Sequence, residues 1–145
     1  MDITKFPQFQ LYLLTLMMFD LKDQLIPDTC DNRCIYSTII NRAYFSSYLF
    51  CELWLDYVKN FRVTSIKNFG DDEEIISEHL RVRNALFNFG EKNMELNLSK
   101  LSKLRKTADY DPFRDLTQKD VSDAVEYMKN IQSSNIRLKL FFLNH

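Results

Sequence analysis

The chain has 145 residues, of which 46% are hydrophobic, including 12 Phe and 7 Tyr, and its formal net charge is −1. That length is one domain, residues 1–145, with enough apolar side chains to build a core without disulfide staples, and the aromatic content argues against disorder. A charge so close to neutral gives no global attraction to nucleic acid, so any such surface would have to be a local patch.

Two glycines and three prolines punctuate the whole sequence, which predicts a few long helices joined by short connections. The first helix is expected over 4–24. Pro7 is tolerated in its first turn, Pro27 ends it, and its inward stripe reads Leu11, Leu14, Met18, Leu21 and Leu25, widened by Phe9, Leu13 and Leu16. The run Leu11 to Phe19 is too short to span a bilayer, and Met1 to Pro7 lacks a secretory pattern, so the expectation is a soluble, cytoplasmic protein with no membrane partner.

A second helix is expected over 31–59, capped by Asp31 or Asn32. One of its faces reads Ile40, Ala43, Ser47, Cys51, Trp54 and Val58. A neighbouring face reads Ile35, Ile39, Arg42, Ser46, Leu49 and Leu53, with Arg42 as the charged exception. The loop 60–70 holds the β-favouring Val63-Thr64-Ser65, without a partner strand in sight. The acids Asp71 to Glu74 are suited to open a third helix that stops near Phe89, before Gly90, with His79 on its inward stripe.

The fourth helix is expected over 94–109, and Pro112 fixes its end. Its stripe Met94, Leu98, Leu101, Arg105, Ala108 places an arginine on an inward face, and Asp109 sits at the helix end that disfavours an acid. The last helix starts after Thr117 with Asp120 completing a capping box, and its stripe continues through 132–135 to Phe142. The apolar tail Leu140-Phe141-Phe142-Leu143 needs more cover than one groove gives, which points to a homodimer. The fold class that follows is all-α, a five-helix, mostly antiparallel bundle.

Arg42, Arg105 and Asp109 form the principal constellation. If the second and fourth helices pack together, Asp109 can bridge both arginines, either as a buried network fixing helix register or as a holder of guanidinium near a phosphate. Lys100, Lys103 and Lys106 surround Arg105 in a basic run suited to sequence-blind phosphate contacts, or to a solvated face. His79 reads either as a packed, hydrogen-bonded histidine or as a proton-handling group. No glycine-rich phosphate loop, hydrolase triad or zinc spacing is present. Cys30, Cys34 and Cys51 read as thiols in a reducing compartment, and neither a metal nor a cofactor is expected.

At Arg42-Ala43-Tyr44-Phe45-Ser46-Ser47-Tyr48 and Arg105-Lys106-Thr107-Ala108-Asp109-Tyr110, the chain resembles the HEPN superfamily of helical domains, in the branch with R-A-Y-Y-like and R-x-x-A-D-Y segments. The Ser77-Glu78-His79 stretch is similar to a third recurring position in that superfamily. The resemblance implies a dimerising helical bundle found in prokaryotic toxin–antitoxin, antiviral and CRISPR-associated systems, often beside a nucleotidyltransferase. Many members are metal-independent ribonucleases that use an arginine followed four to six residues later by a histidine. Here Arg105 is followed by Asp109, and no arginine stands at that distance before His79 or His145.

The expected function is therefore a HEPN-like component of a defence or toxin–antitoxin system that binds RNA or a protein partner without the standard ribonuclease site. Two alternatives stay open. One is a ribonuclease with a non-standard site built from Arg42, Arg105, Asp109, Tyr110 and His79. The other is a structural accessory subunit of an effector complex.

Overall fold

The computed structural model describes residues 5–25, 31–63, 77–133 and 136. These contain five helices and no strand: α1 (Pro7–Asp20), α2 (Asn32–Lys59), α3 (Glu78–Asn88), α4 (Lys92–Tyr110) and α5 (Gln118–Ile131). No helix among the described residues is long and apolar enough to cross a membrane.

The bundle is built around α2, which packs against each of the other four helices. Its small residues make this feasible. Ala43, Ser46, Ser47 and Cys51 are wholly buried, so neighbours approach its backbone closely, while Tyr44, Phe50, Trp54 and Leu55 fill the space between them. Asp31 caps the helix, accepting from the Arg33 N–H, and Asn60 ends it in the left-handed conformation (φ 52°).

Contacts at both ends set the directions. Arg33, near the start of α2, meets the last turn of α4, whereas Lys59 at the end of α2 pairs with Glu91 just before α4 begins. These two helices are therefore antiparallel. Arg83 on α3 reaches Ser99 on α4 across a reversal at Gly90, whose φ of +84° suits glycine, so α3 and α4 are antiparallel as well. Asn130 to Asn97 and Lys100 to Tyr127 give the same relation for α4 and α5. The exception is α3 beside α2: His79 meets Tyr44, and Phe89 meets Phe61, so these two run parallel.

Several expectations shift. The stripe expected for α1 is only partly its core face: Phe9 is buried and Leu16 and Met18 pack against the core. Gln8, Phe9, Tyr12 and Thr15 are buried, while Leu13, Leu14, Met17, Leu21 and Leu25 are exposed. This helix is apolar nearly all round, so periodicity has no single maximum. The face is instead selected by an edge-to-face contact of Phe9 with Phe50 and by Ser46 donating to the Gln8 carbonyl. Regular helix also stops at Asp20 rather than 24.

The capping box at Thr117 and Asp120 forms as expected, but α5 stops short of the long helix expected. It ends at Ile131, with Gln132 as C-cap. Gln132 is fully buried and donates to Ser46 Oγ at 2.8 Å, which ties its position to α2. The expected helix start at Asp71 to Glu74, the β-favouring Thr64-Ser65, Cys30, His145 and the apolar tail after 136 lie outside the described residues.

Candidate functional site

Where α2, α3 and α4 converge, a cavity of about 330 Å³ is lined by Tyr44, Ser77, His79, Leu80, Arg83, Ser102, Arg105 and Lys106. Each wall follows from helix periodicity. Tyr44 and Tyr48 are one turn apart on α2, His79 and Arg83 one turn apart on α3, and Ser102 and Arg105 nearly so on α4. Ser77 opens α3, accepting from the Leu80 N–H, which holds His79 in the first turn.

The rings form a stack. His79 lies on Tyr48 with centroids 4.2 Å apart and planes 11° from parallel, and the Tyr44 ring sits at 5.6 Å from His79 and 14° from parallel. The Tyr44 hydroxyl is hydrogen-bonded to His79 Nδ1, and Ser102 lines the cavity with it. Burial pushes the Tyr44 phenol up to about 12, only partly opposed by the Arg105 charge, so it keeps its proton at neutral pH. Burial likewise raises the Tyr48 phenol. For His79, burial first and Arg105 second hold the imidazole below its ordinary value of 6.5. A neutral imidazole has one donor and one acceptor nitrogen. In the tautomer with hydrogen on Nε2, Tyr44 donates to Nδ1 and His79 is a donor through its second nitrogen; in the other, Nδ1–H donates to Tyr44 and Nε2 is the acceptor.

Arg105 is the pivot on α4. Its guanidinium lies 5.4 Å from the Tyr44 centroid, 5.5 Å from Phe45 and 5.4 Å from Tyr110. Nε donates to Asp109 Oδ2 at 3.0 Å, and Nη2 donates to the Tyr110 hydroxyl at 3.3 Å. Asn41 on α2 donates to the same Asp109 oxygen at 3.0 Å. Across the cavity, Arg83 bonds Ser99 and faces Glu95 at 3.6 Å, while its Nε is buried without a hydrogen-bond partner among the described residues.

The expected cross-helix charge network is thus realised in altered form. Asp109 does contact Arg105, but the bridge to α2 is made by Asn41. Arg42 is exposed and takes no part. Arg42 fits the three–four spacing of its stripe, yet falls on the open strip of a helix that is covered on most sides. With Arg105 and Asp109 side chains 19% and 24% exposed, the ion pair is also not the fully buried network anticipated.

Of the basic run, Lys106 lines the cavity and Lys103 is exposed, but Lys100 is turned toward α5, 5.4 Å over the Tyr127 ring. The structure therefore brings together Arg105, Asp109, Tyr110, His79 and Lys106, and leaves out Arg42 and Lys100. It adds Tyr44, Tyr48, Asn41, Arg83 and Ser102. The pair Tyr44 and Tyr48 at i, i+4 was a readable signal for an aromatic ledge. Arg83 and Ser102 carried none, because their roles depend on how α3 and α4 pair.

Chemically, the cavity offers cationic and neutral donors from three helices. Among the described residues, no three His, Cys, Asp or Glu side chains gather where a metal ion could be held. No family model, curated protein or solved structure matches this chain.

Proposed function

We propose that the chain is a HEPN-like helical domain of a prokaryotic defence or toxin–antitoxin system, and that it binds RNA phosphates in the cavity between α2, α3 and α4. The observation that carries this reading is the ring of Arg83, Arg105 and Lys106 around one 330 Å³ cavity that also holds His79 and Ser102. Guanidinium and ammonium groups facing polar donors suit a phosphodiester. The two segments that resemble the HEPN superfamily also meet at this place, through Arg105 against Tyr44 and Phe45.

The test is binding of a labelled single-stranded RNA by fluorescence anisotropy across a salt series. Affinity should fall steeply with salt. Lys106→Ala should weaken binding and also reduce the log–log salt slope by about 0.7, the value for one phosphate no longer neutralised on a single strand. Salt-independent binding, or an unchanged Lys106→Ala variant, would remove the phosphate site.

A second reading, a metal-independent ribonuclease with a non-standard site, is favoured by one observation: His79 and Arg105 line the same cavity. The hydrogen bond with Tyr44 engages Nδ1 of His79, so a general base here would have to act through Nε2. Incubation with RNA in EDTA, comparing the wild type with His79→Ala, separates the two readings. The exposed apolar residues of α1, Leu13, Leu14, Met17 and Leu21, support the expected homodimer or a nucleotidyltransferase-like partner. Light scattering on a Met17→Glu variant tests that surface.

A further inference from the structure

Two large aromatic side chains stand in solvent at and just after the end of α4, the helix whose Arg105 lines the cavity. Tyr110 is 71% exposed at the end of α4, and Phe113 is 97% exposed in the turn that follows. Neither contributes to the core. An isolated exposed aromatic would call for no explanation, but this turn is unusually well held.

Arg33 donates to the main-chain carbonyls of Thr107, Ala108, Asp111 and Arg114. The Arg114 N–H closes back on the Asp111 carbonyl at 3.2 Å, and Leu116 is anchored in the core. The segment 107–116 is thus fixed at several points and displays Phe113 outward. At the same time, the Tyr110 ring lies against the guanidinium of Arg105, a residue that also lines the cavity. Tyr110 and Phe113 are three positions apart in sequence, so their Cα atoms are no more than about 11 Å apart.

We infer that Tyr110 and Phe113 form a base-stacking platform that makes the site selective for unpaired over paired RNA. This inference rests on reading the cavity as a phosphate site. A cationic groove flanked by exposed aromatic rings is the arrangement by which single strands are held without sequence preference. The cations track the backbone, and each ring takes the face of one base. Bases in a duplex are stacked on each other and cannot lie on the rings. The Arg105 contact pre-positions the Tyr110 ring and the Arg33 clamp holds the backbone that carries both rings, which lowers the ordering needed on binding.

The test compares three probes: a labelled ten-nucleotide single-stranded RNA, the same RNA annealed to its complement, and linear polyphosphate as a base-free competitor. The proteins are the wild type, Tyr110→Ala, Tyr110→Phe, Phe113→Ala and Lys106→Ala, each checked for an unchanged melting transition. Loss of either ring should weaken single-strand binding about 10-fold while leaving polyphosphate competition unchanged. Tyr110→Phe, which keeps the ring, should bind like the wild type, and the duplex should bind more weakly than the single strand.

If Tyr110→Ala and Phe113→Ala bind the single strand like the wild type while Lys106→Ala weakens every probe, the stacking platform is refuted and the phosphate site stands. If Lys106→Ala changes neither RNA nor polyphosphate binding, the phosphate reading fails and the platform falls with it.

Discussion

Arg33, in the first turn of α2, donates from Nη2 to the main-chain oxygen of Asp111 at 2.7 Å. The same guanidinium also reaches the Thr107, Ala108 and Arg114 carbonyls. The carbonyls at the end of α4 carry the negative end of its dipole and have few backbone donors, the Thr107 oxygen being shared with the Asp111 N–H, so a cation there meets both needs. It also fixes the turn of α4 that carries Arg105, Asp109 and Tyr110.

Removing this clamp should therefore cost stability and site geometry together. Arg33→Ala is expected to lower unfolding stability by about 2 kcal/mol, the scale of losing charge-assisted hydrogen bonds. Arg33→Lys should retain part of that, because an ammonium keeps the dipole interaction but not the fork of donors. Urea denaturation of both variants measures the ordering.

The ion pair of Arg105 and Asp109 leads to the opposite expectation. It is an i, i+4 pair, and both side chains keep some solvent contact, so Asp109→Asn should change stability by less than about 1 kcal/mol. The substitution should nonetheless strengthen RNA binding. It removes a negative charge from the cavity rim and frees a guanidinium that the carboxylate now occupies. A melting curve and an anisotropy titration on one preparation check both halves. A stability loss of several kcal/mol would instead restore the buried-network account.

How far these features were legible follows from which physical signal each leaves in the chain. Thr117 and Asp120, and the stripe Met94, Leu98, Leu101, Ala108, are local patterns, and both appear in the structure as read. So does the inward set of Arg105. Arg33 left no signal, since its partners lie 74 to 81 residues away. Arg42 was misleading because spacing alone cannot say which side of a central helix stays open; Asn41, one residue earlier, faces Asp109 instead. The face of α1 was only partly legible for a related reason: a helix apolar all round has its orientation decided by partners such as Phe50 and Ser46, not by its own sequence.

The cysteines offer a separate check on the core. Cys51 is buried in α2, and burial drives its thiol well above the ordinary range, whereas Cys34 is exposed. Thiolate is the reactive form. In a Cys30→Ser/Cys34→Ser background, Cys51 should react with a thiol reagent only as fast as the protein opens, and promptly in denaturant. Fast labelling of the native protein would show that α2 is not packed as described.

The depressed His79 imidazole gives a pH dependence whose sign is fixed. Its folded value lies below the ordinary 6.5 because of burial and Arg105. Between the folded and unfolded values, the unfolded chain binds more protons, so stability rises with pH across that window. Stability should thus be fully present above about 6.5 and decline as pH falls toward the folded value. His79→Gln, which keeps a polar side chain, should flatten that slope. Ligand binding should move the other way. Protonating His79 adds a third kind of cation beside Arg105 and Lys106, so RNA affinity should rise as pH falls through the same window in the wild type and not in His79→Gln. The two opposed trends, vanishing together in one variant, would place the titrating group at the cavity rather than elsewhere in the bundle.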